Sequence, residues 1–100
     1  MLHFKGKKLN MRIGELYWDD NNIEHIARHS VTPQEVEDVC FGLHIYVREG
    51  SKRYVISGQS ASGRYLNVVL ERIGKGIFKP ITAFEMNENY KRKYKKILGR

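Results

Sequence analysis

The chain has 100 residues, 41% of them apolar, and a formal charge of +7 from 18 basic and 11 acidic side chains. That length holds one domain, which buries only about 60 to 70% of its extended-chain surface, and it leaves no room for a second. The lone cysteine, Cys40, excludes an intrachain disulfide and a cysteine-built zinc cage and points to a reducing cytoplasm, while the basic balance points to phosphate-bearing partners.

The charge is unevenly placed: residues 13–41 carry a net −6, whereas residues 1–12, 42–86 and 87–100 carry +4, +4 and +5. An acidic front is thus followed by a basic body, the distribution expected of a surface that meets RNA. Residues 1–10 hold three lysines and no apolar run of seven, so no signal peptide is expected, and no stretch approaches membrane-spanning length.

In chain order, residues 11–18 alternate enough to predict a short strand, with Ile13, Tyr17 and Trp18 available to the core. Residues 19–29 predict a first helix whose acidic start suits the helix dipole and whose apolar stripe is Ile23, Ile26 and Ala27. His25 and His29, four apart, then share the opposite face. The run Thr32-Pro33-Gln34-Glu35-Val36 predicts a second helix start in full: Thr32 as N-cap, Pro33 in the first helical position, Glu35 closing a capping box, and Val31 packing on Val36. That helix buries Val36, Val39 and Cys40 and ends near Gly42.

Strand 44–49 follows, then a turn at Gly50-Ser51 and a hairpin over residues 52–72 whose loop is 59–63. Arg64, Leu66, Val68 and Leu70 share its core face; Tyr65, Asn67, Val69 and Glu71 share a wetter one. A last strand covers residues 77–83, with Pro80 demanding an edge or a bulge. From Asn87 a helical stripe of Tyr90, Tyr94, Ile97 and Leu98 lies among lysines. The expected class is α+β, a small antiparallel sheet of about four to five strands with two N-terminal helices and a basic C-terminal helix.

The order of elements and the local wording resemble BrnT-type toxins. The resemblance rests on Tyr17-Trp18-Asp19, on Ile26-Ala27-Arg28-His29-Ser30-Val31, and on Glu35-Val36-Glu37-Asp38-Val39. It continues through 53–58, 63–69, Ile81-Thr82-Ala83 and the basic terminal helix, about four-fifths of the chain in all. It implies a RelE-like fold and a metal-free endoribonuclease, the toxin of a type II toxin-antitoxin pair, neutralised by a cognate antitoxin through which it forms an oligomer. One position departs from the family pattern: an arginine follows the Ile-Ser/Thr-Ala segment there, and Phe84 stands in its place here.

Metal-free cleavage needs a base for the 2′-hydroxyl, cations for the phosphorane and an acid for the leaving oxygen. Arg53 and Arg64 carry the planar forks suited to the phosphate, with His25, His29 and Glu85 as base and acid candidates. Tyr54 and Tyr65 are candidate stacking platforms, and Lys52, Lys79, Lys91 and Arg92 candidate phosphate contacts. Each has a plainer reading: solvated strand ends or ion pairs with Glu49 or Glu71 for the arginines, helix-end hydrogen bonding for the histidines, and a helix-start charge for Glu85. The His25–His29 spacing would also admit a metal, but no cofactor or metal is expected. The alternative to an enzyme is a non-catalytic module of the same fold that binds nucleic acid or an antitoxin.

Overall fold

The computed structural model describes residues 6–99, so residues 1–5 and 100, part of the N-terminal and C-terminal basic segments, lie outside it. The elements are β1 (Lys7–Leu9), β2 (Glu15–Leu16), α1 (Asp20–Ala27), α2 (Pro33–Phe41), β3 (His44–Arg48), β4 (Arg53–Gln59), β5 (Tyr65–Gly74), β6 (Ile77–Glu85) and α3 (Glu88–Leu98). They form one six-stranded sheet in the order β1-β3-β4-β5-β6-β2. The class is α+β as expected, but the strand count exceeds four to five and the sheet is mixed, because β2 pairs with β6 in parallel.

The two extra features sit at the edges. β1 pairs antiparallel with β3 at Lys7↔Val47 and Leu9↔Ile45, and Lys-Lys-Leu carries no alternation by which to foresee it. The predicted strand at 11–18 contracts to Glu15–Leu16. Ile13 reaches the core and Trp18 packs against it, while Tyr17 stays exposed. His44 clamps the connecting segment: its Nε2 accepts from the Met11 amide at 2.9 Å while its Nδ1 faces the Gly42 carbonyl at 3.0 Å. Burial lowers the pKa of this imidazole against the raising effect of the Gly42 and Val39 carbonyls, which keeps it in the neutral form both contacts need.

The central hairpin is as predicted. β4 and β5 pair from Arg53↔Glu71 to Gln59↔Tyr65, and Gly63 takes φ +95° in the loop, a conformation that glycine adopts without strain. The α2 side chain of Asp38 accepts from the Ala61 amide at 2.9 Å and so holds the loop to the helix. Pro80 lies beyond the two-residue β2 pairing and beside a register shift between Val69 and Leu70, meeting the demand for an edge or bulge.

Ile56, Leu66, Val68, Leu70 and Ala83 point to the face covered by α1 and α2 and pack with Ile26, Val36, Val39 and Cys40 in the main core. Gly58 allows the close approach of α2, since a Cβ there would lie 3.1 Å from Val39 Cγ1 and 3.2 Å from the Leu43 carbonyl. On α1, Ile23 and Ala27 are exposed, contrary to the predicted stripe. The buried positions are Asn22 and Ile26, with Asn22 donating to the Tyr17 carbonyl, and His25 is half-buried. The helix ends at Ala27, and the turn after it closes at Ser30 with φ +59°.

The opposite sheet face carries α3, whose Tyr94 is buried with Ile45 and Met86, flanked by Tyr65, Tyr90, Ile97 and Leu98. The predicted stripe of α3 therefore docks as expected. No helix is long and apolar enough to cross a membrane among the described residues.

At the start of α2 every predicted contact is present. Thr32 Oγ1 accepts from the Glu35 amide at 3.2 Å and Glu35 Oε1 accepts from the Thr32 amide at 3.1 Å, with Val31 and Val36 both buried. Thr32→Ala removes the capping oxygen and should lower stability by about 1 kcal/mol. A chemical-denaturation midpoint equal to that of wild type would contradict this role.

Candidate functional site

Four of the five candidate catalytic residues gather at the rim where the hairpin loop meets the α1–α2 turn. Arg64, the residue before β5, organises them. Its Nη1 donates to the Ser30 carbonyl at 2.7 Å and to both Glu35 carboxylate oxygens at 2.9 Å, and its Nε donates to Glu85 Oε2 at 3.1 Å. Ser30 follows His29, whose ring lies 6.0 Å from that of His25 and 6.2 Å from that of Phe84. Phe84 precedes Glu85 on β6. Residues from four segments, spread over 60 positions, therefore share one rim.

Arg53 is not among them. It pairs with Glu71 at the open end of the hairpin, six residues from the Gln59↔Tyr65 pair, or about 20 Å along the strand. A phosphate site shared by Arg53 and Arg64 is therefore corrected: the two guanidinium groups address opposite ends of the sheet. Among the described residues the Arg53 side chain makes no hydrogen bond or ion pair, so it is a solvated strand end. Arg64 is paired, but with Glu35 and Glu85 rather than Glu49 or Glu71.

The electrostatics of the rim follow from this pairing. Burial pushes the Glu35 carboxyl up, but the Thr32 amide, the Arg64 fork and the Thr32 hydroxyl together hold it below its ordinary value. Arg64 is raised, first by its hydrogen bond to Glu35 and further by Glu85, against the opposing effect of burial. One cation thus faces two carboxylates. The Arg64 Nη2 makes no hydrogen bond within the described residues and remains the prong open to a ligand.

The candidate RNA contacts divide between the faces. Tyr54 packs edge-on against Phe78, ring centroids 5.8 Å apart, in the layer under α1 and α2. Tyr65 lies on the α3 face, T-shaped to Tyr94, with Lys91 and Lys95 ammonium groups 4.7 and 5.2 Å from its ring centroid. Lys79 lies 3.7 Å from Asp19, Lys52 borders a hollow with Arg72 and Lys75 at the far end of the hairpin, and Arg92 is exposed. No group of three or more potential metal-ligating side chains assembles among the described residues. Cys40 is buried, and that burial, with the nearby Glu37 charge, pushes its thiol pKa far up, leaving it unreactive.

Sequence reasoning missed two groups. Glu35 reads as a capping residue, which it is, and nothing local reveals that the same carboxylate also receives Arg64. Asn67, Phe84, Tyr90 and Lys7 line a groove of about 500 Å³ on the α3 face together with Glu49 and Glu85, and Ser57 hydrogen-bonds to both Asn67 and Tyr90. An asparagine between Leu66 and Val68 is poorly suited to a strand interior, and that mismatch was the available signal.

No family model, no curated protein and no solved structure matches the chain.

Because Glu35 is held below its ordinary pKa, its pairing stabilises the fold fully above the usual glutamate range, near pH 4.3, and is lost as pH falls through the lowered value. Glu35→Gln should cost about 1 to 2 kcal/mol at pH 7. The gap to wild type should shrink towards the lowest pH at which both remain folded. Denaturation midpoints measured at pH 7 and near that limit check this; a gap independent of pH would contradict it.

Proposed function

We propose that the chain is an RNA-cleaving toxin of a type II toxin-antitoxin pair, acting in the cytoplasm without a metal. The observation that carries the reading is the convergence of His25, His29, Arg64 and Glu85 at one rim, beside the basic α3 face. The resemblance to BrnT-type toxins supports it independently, and that resemblance adds a cognate antitoxin as the neutralising partner and the route to an oligomer.

In this scheme the two imidazoles divide the proton work. With ring centroids 6.0 Å apart, both imidazoles can reach oxygens of one phosphodiester seated across them. A neutral imidazole takes the 2′-hydroxyl proton as O2′ bonds to phosphorus, and a protonated one gives its proton to the departing 5′-oxygen. The products are a 2′,3′-cyclic phosphate end and a 5′-hydroxyl end. Arg64 Nη2 meets the charge that develops on the phosphorane, while Glu85, already accepting from Arg64 Nε, orients the guanidinium and does not serve as the acid. Glu85 thereby moves from a catalytic to a positioning role.

A second reading is favoured by one observation. The Arg64 guanidinium is already engaged by Glu35, Glu85 and the Ser30 carbonyl, and Phe84 occupies the position where the resembled family carries arginine. A rim so neutralised suits a module that binds RNA or an antitoxin without cutting.

The test is single-turnover cleavage of RNA by protein freed of any partner, with chelator present. His29→Ala or His25→Ala should slow cleavage by about 10²- to 10⁴-fold. Arg64→Lys should slow it by up to about 10²- to 10³-fold while circular dichroism confirms folding, because an ammonium lacks the forked geometry. Phe84→Arg should raise the rate. Wild type and Phe84→Arg both failing to cut, while RNA still binds, would replace the enzyme reading with the binding module.

A further inference from the structure

The groove on the α3 face is built around a side chain that the fold leaves half-used. Asn67 is only 6% exposed, and its Oδ1 accepts from Ser57 Oγ at 2.6 Å. Ser57 Oγ in turn lies 2.8 Å from the Tyr90 hydroxyl. A serine hydroxyl has one proton, and spending it on Asn67 makes Tyr90 the donor to Ser57. With Oδ1 toward Ser57 the chain runs from Tyr90 to Ser57 to Asn67 and turns the amide nitrogen away from it. Its Nδ2 makes no hydrogen bond within the described residues, yet no buried side-chain nitrogen or oxygen there lacks a partner. Nδ2 must reach open space, and the groove is where Asn67 lines it.

The donor lies between two aromatic side chains, Phe84 and Tyr90, in a groove whose charged lining is Lys7 with Glu49 and Glu85. Ser57↔Asn67 and Asn67↔Phe84 are register partners, so Phe84 stands one strand to one side and Ser57, under Tyr90, one strand to the other. Two strand spacings separate these flanks, about 10 Å. At the lip, the Lys7 ammonium lies 5.0 Å from the Tyr90 ring centroid, while Lys91 and Lys95 lie over Tyr65 elsewhere on the same sheet face. Phe84 lies beside His29, and Glu85, the partner of Arg64, also lines the groove, so the groove and the cleavage rim meet at these two residues.

We propose that this groove is a nucleobase pocket for single-stranded RNA: Phe84 and Tyr90 flank the ring, and Asn67 Nδ2 donates to an acceptor on its edge. This deepens the RNA reading and rests on it. A nucleobase fits because it combines a planar face for the aromatic flanks with ring nitrogens or carbonyls for a lone donor, and it arrives on a phosphate chain that the lysines of this sheet face attract. The pocket volume lies within the range of small-ligand sites. Phe84 then has a role of its own. An arginine at that position would keep a stacking plane while adding charge at the rim.

The probe is a seven-nucleotide single-stranded RNA with 2′-fluoro sugars, which remove the attacking hydroxyl, compared with the same oligonucleotide carrying one abasic position. Affinities are measured with the full chain at low salt for wild type, Phe84→Ala, Phe84→Tyr and Asn67→Asp. Aspartate keeps an oxygen for Ser57 and removes the amide donor. Wild type should bind the intact probe about tenfold more tightly than the abasic one for the best-placed position. Phe84→Ala and Asn67→Asp should each abolish most of that difference, and Phe84→Tyr should retain it. Equal affinity for intact and abasic probes at every position, or variants that weaken both probes alike, would overturn the pocket while leaving RNA binding intact. Wild type binding neither probe would overturn the RNA reading itself, and the pocket with it.

Discussion

The architecture depends on one guanidinium. Arg64 is the point at which the end of α1, the start of α2, the hairpin and the end of β6 are joined, through Ser30, Glu35 and Glu85. Glu35 closes the capping box of α2 with one set of contacts and receives Arg64 with another, so the most firmly specified helix start in the chain is also the anchor of the rim. The partial burial of the pair, with side-chain exposures of 27% and 17%, places it between a weak surface ion pair and a fully desolvated one. This fixed position leaves a single guanidinium prong open next to the Ser30 carbonyl, one residue after His29.

The sheet then separates two tasks. Its α1–α2 face holds the main core, under the acidic third of the chain. Its other face is covered only in part, by a helix whose docked stripe is aromatic and whose flanks are lysines. Lysine ammonium groups resting over Tyr65 and Tyr90 make that covering layer both cationic and planar. The cationic and aromatic groups that the proposed RNA contact requires thus share one surface, and Phe84 joins it to the histidine rim.

How much of this was legible in the sequence depended on whether a signal was local. The start of α2, the β4–β5 hairpin and the α3 stripe could be read because caps, alternation and helical period lie within a few residues of one another. β1 could not, since three residues without pattern become a strand only when β3 offers an edge, and β2 pairs in parallel with a strand some 60 positions away. The α1 stripe was misread because Asn22, buried by its bonds to Tyr17 and Asp19, does the work assigned to Ile23. At the site, the types Arg64, His25, His29 and Glu85 were visible, but their partners were not. Arg53 and Arg64 look equivalent in sequence, each followed by tyrosine and each starting one strand of the hairpin at opposite ends, and only the partners of Arg64, from α2 and β6, distinguish them.

The most direct measurement is the salt dependence of RNA affinity. A surface that meets RNA through Lys7, the α3 lysines and neighbouring cations displaces counterions from the phosphates. The logarithm of the binding constant should then fall linearly with the logarithm of salt concentration, with a slope of about −0.7 for each phosphate neutralised on a single strand. Several phosphates are predicted, hence a slope of roughly −2 to −4. An RNA affinity that does not change with salt would contradict the account.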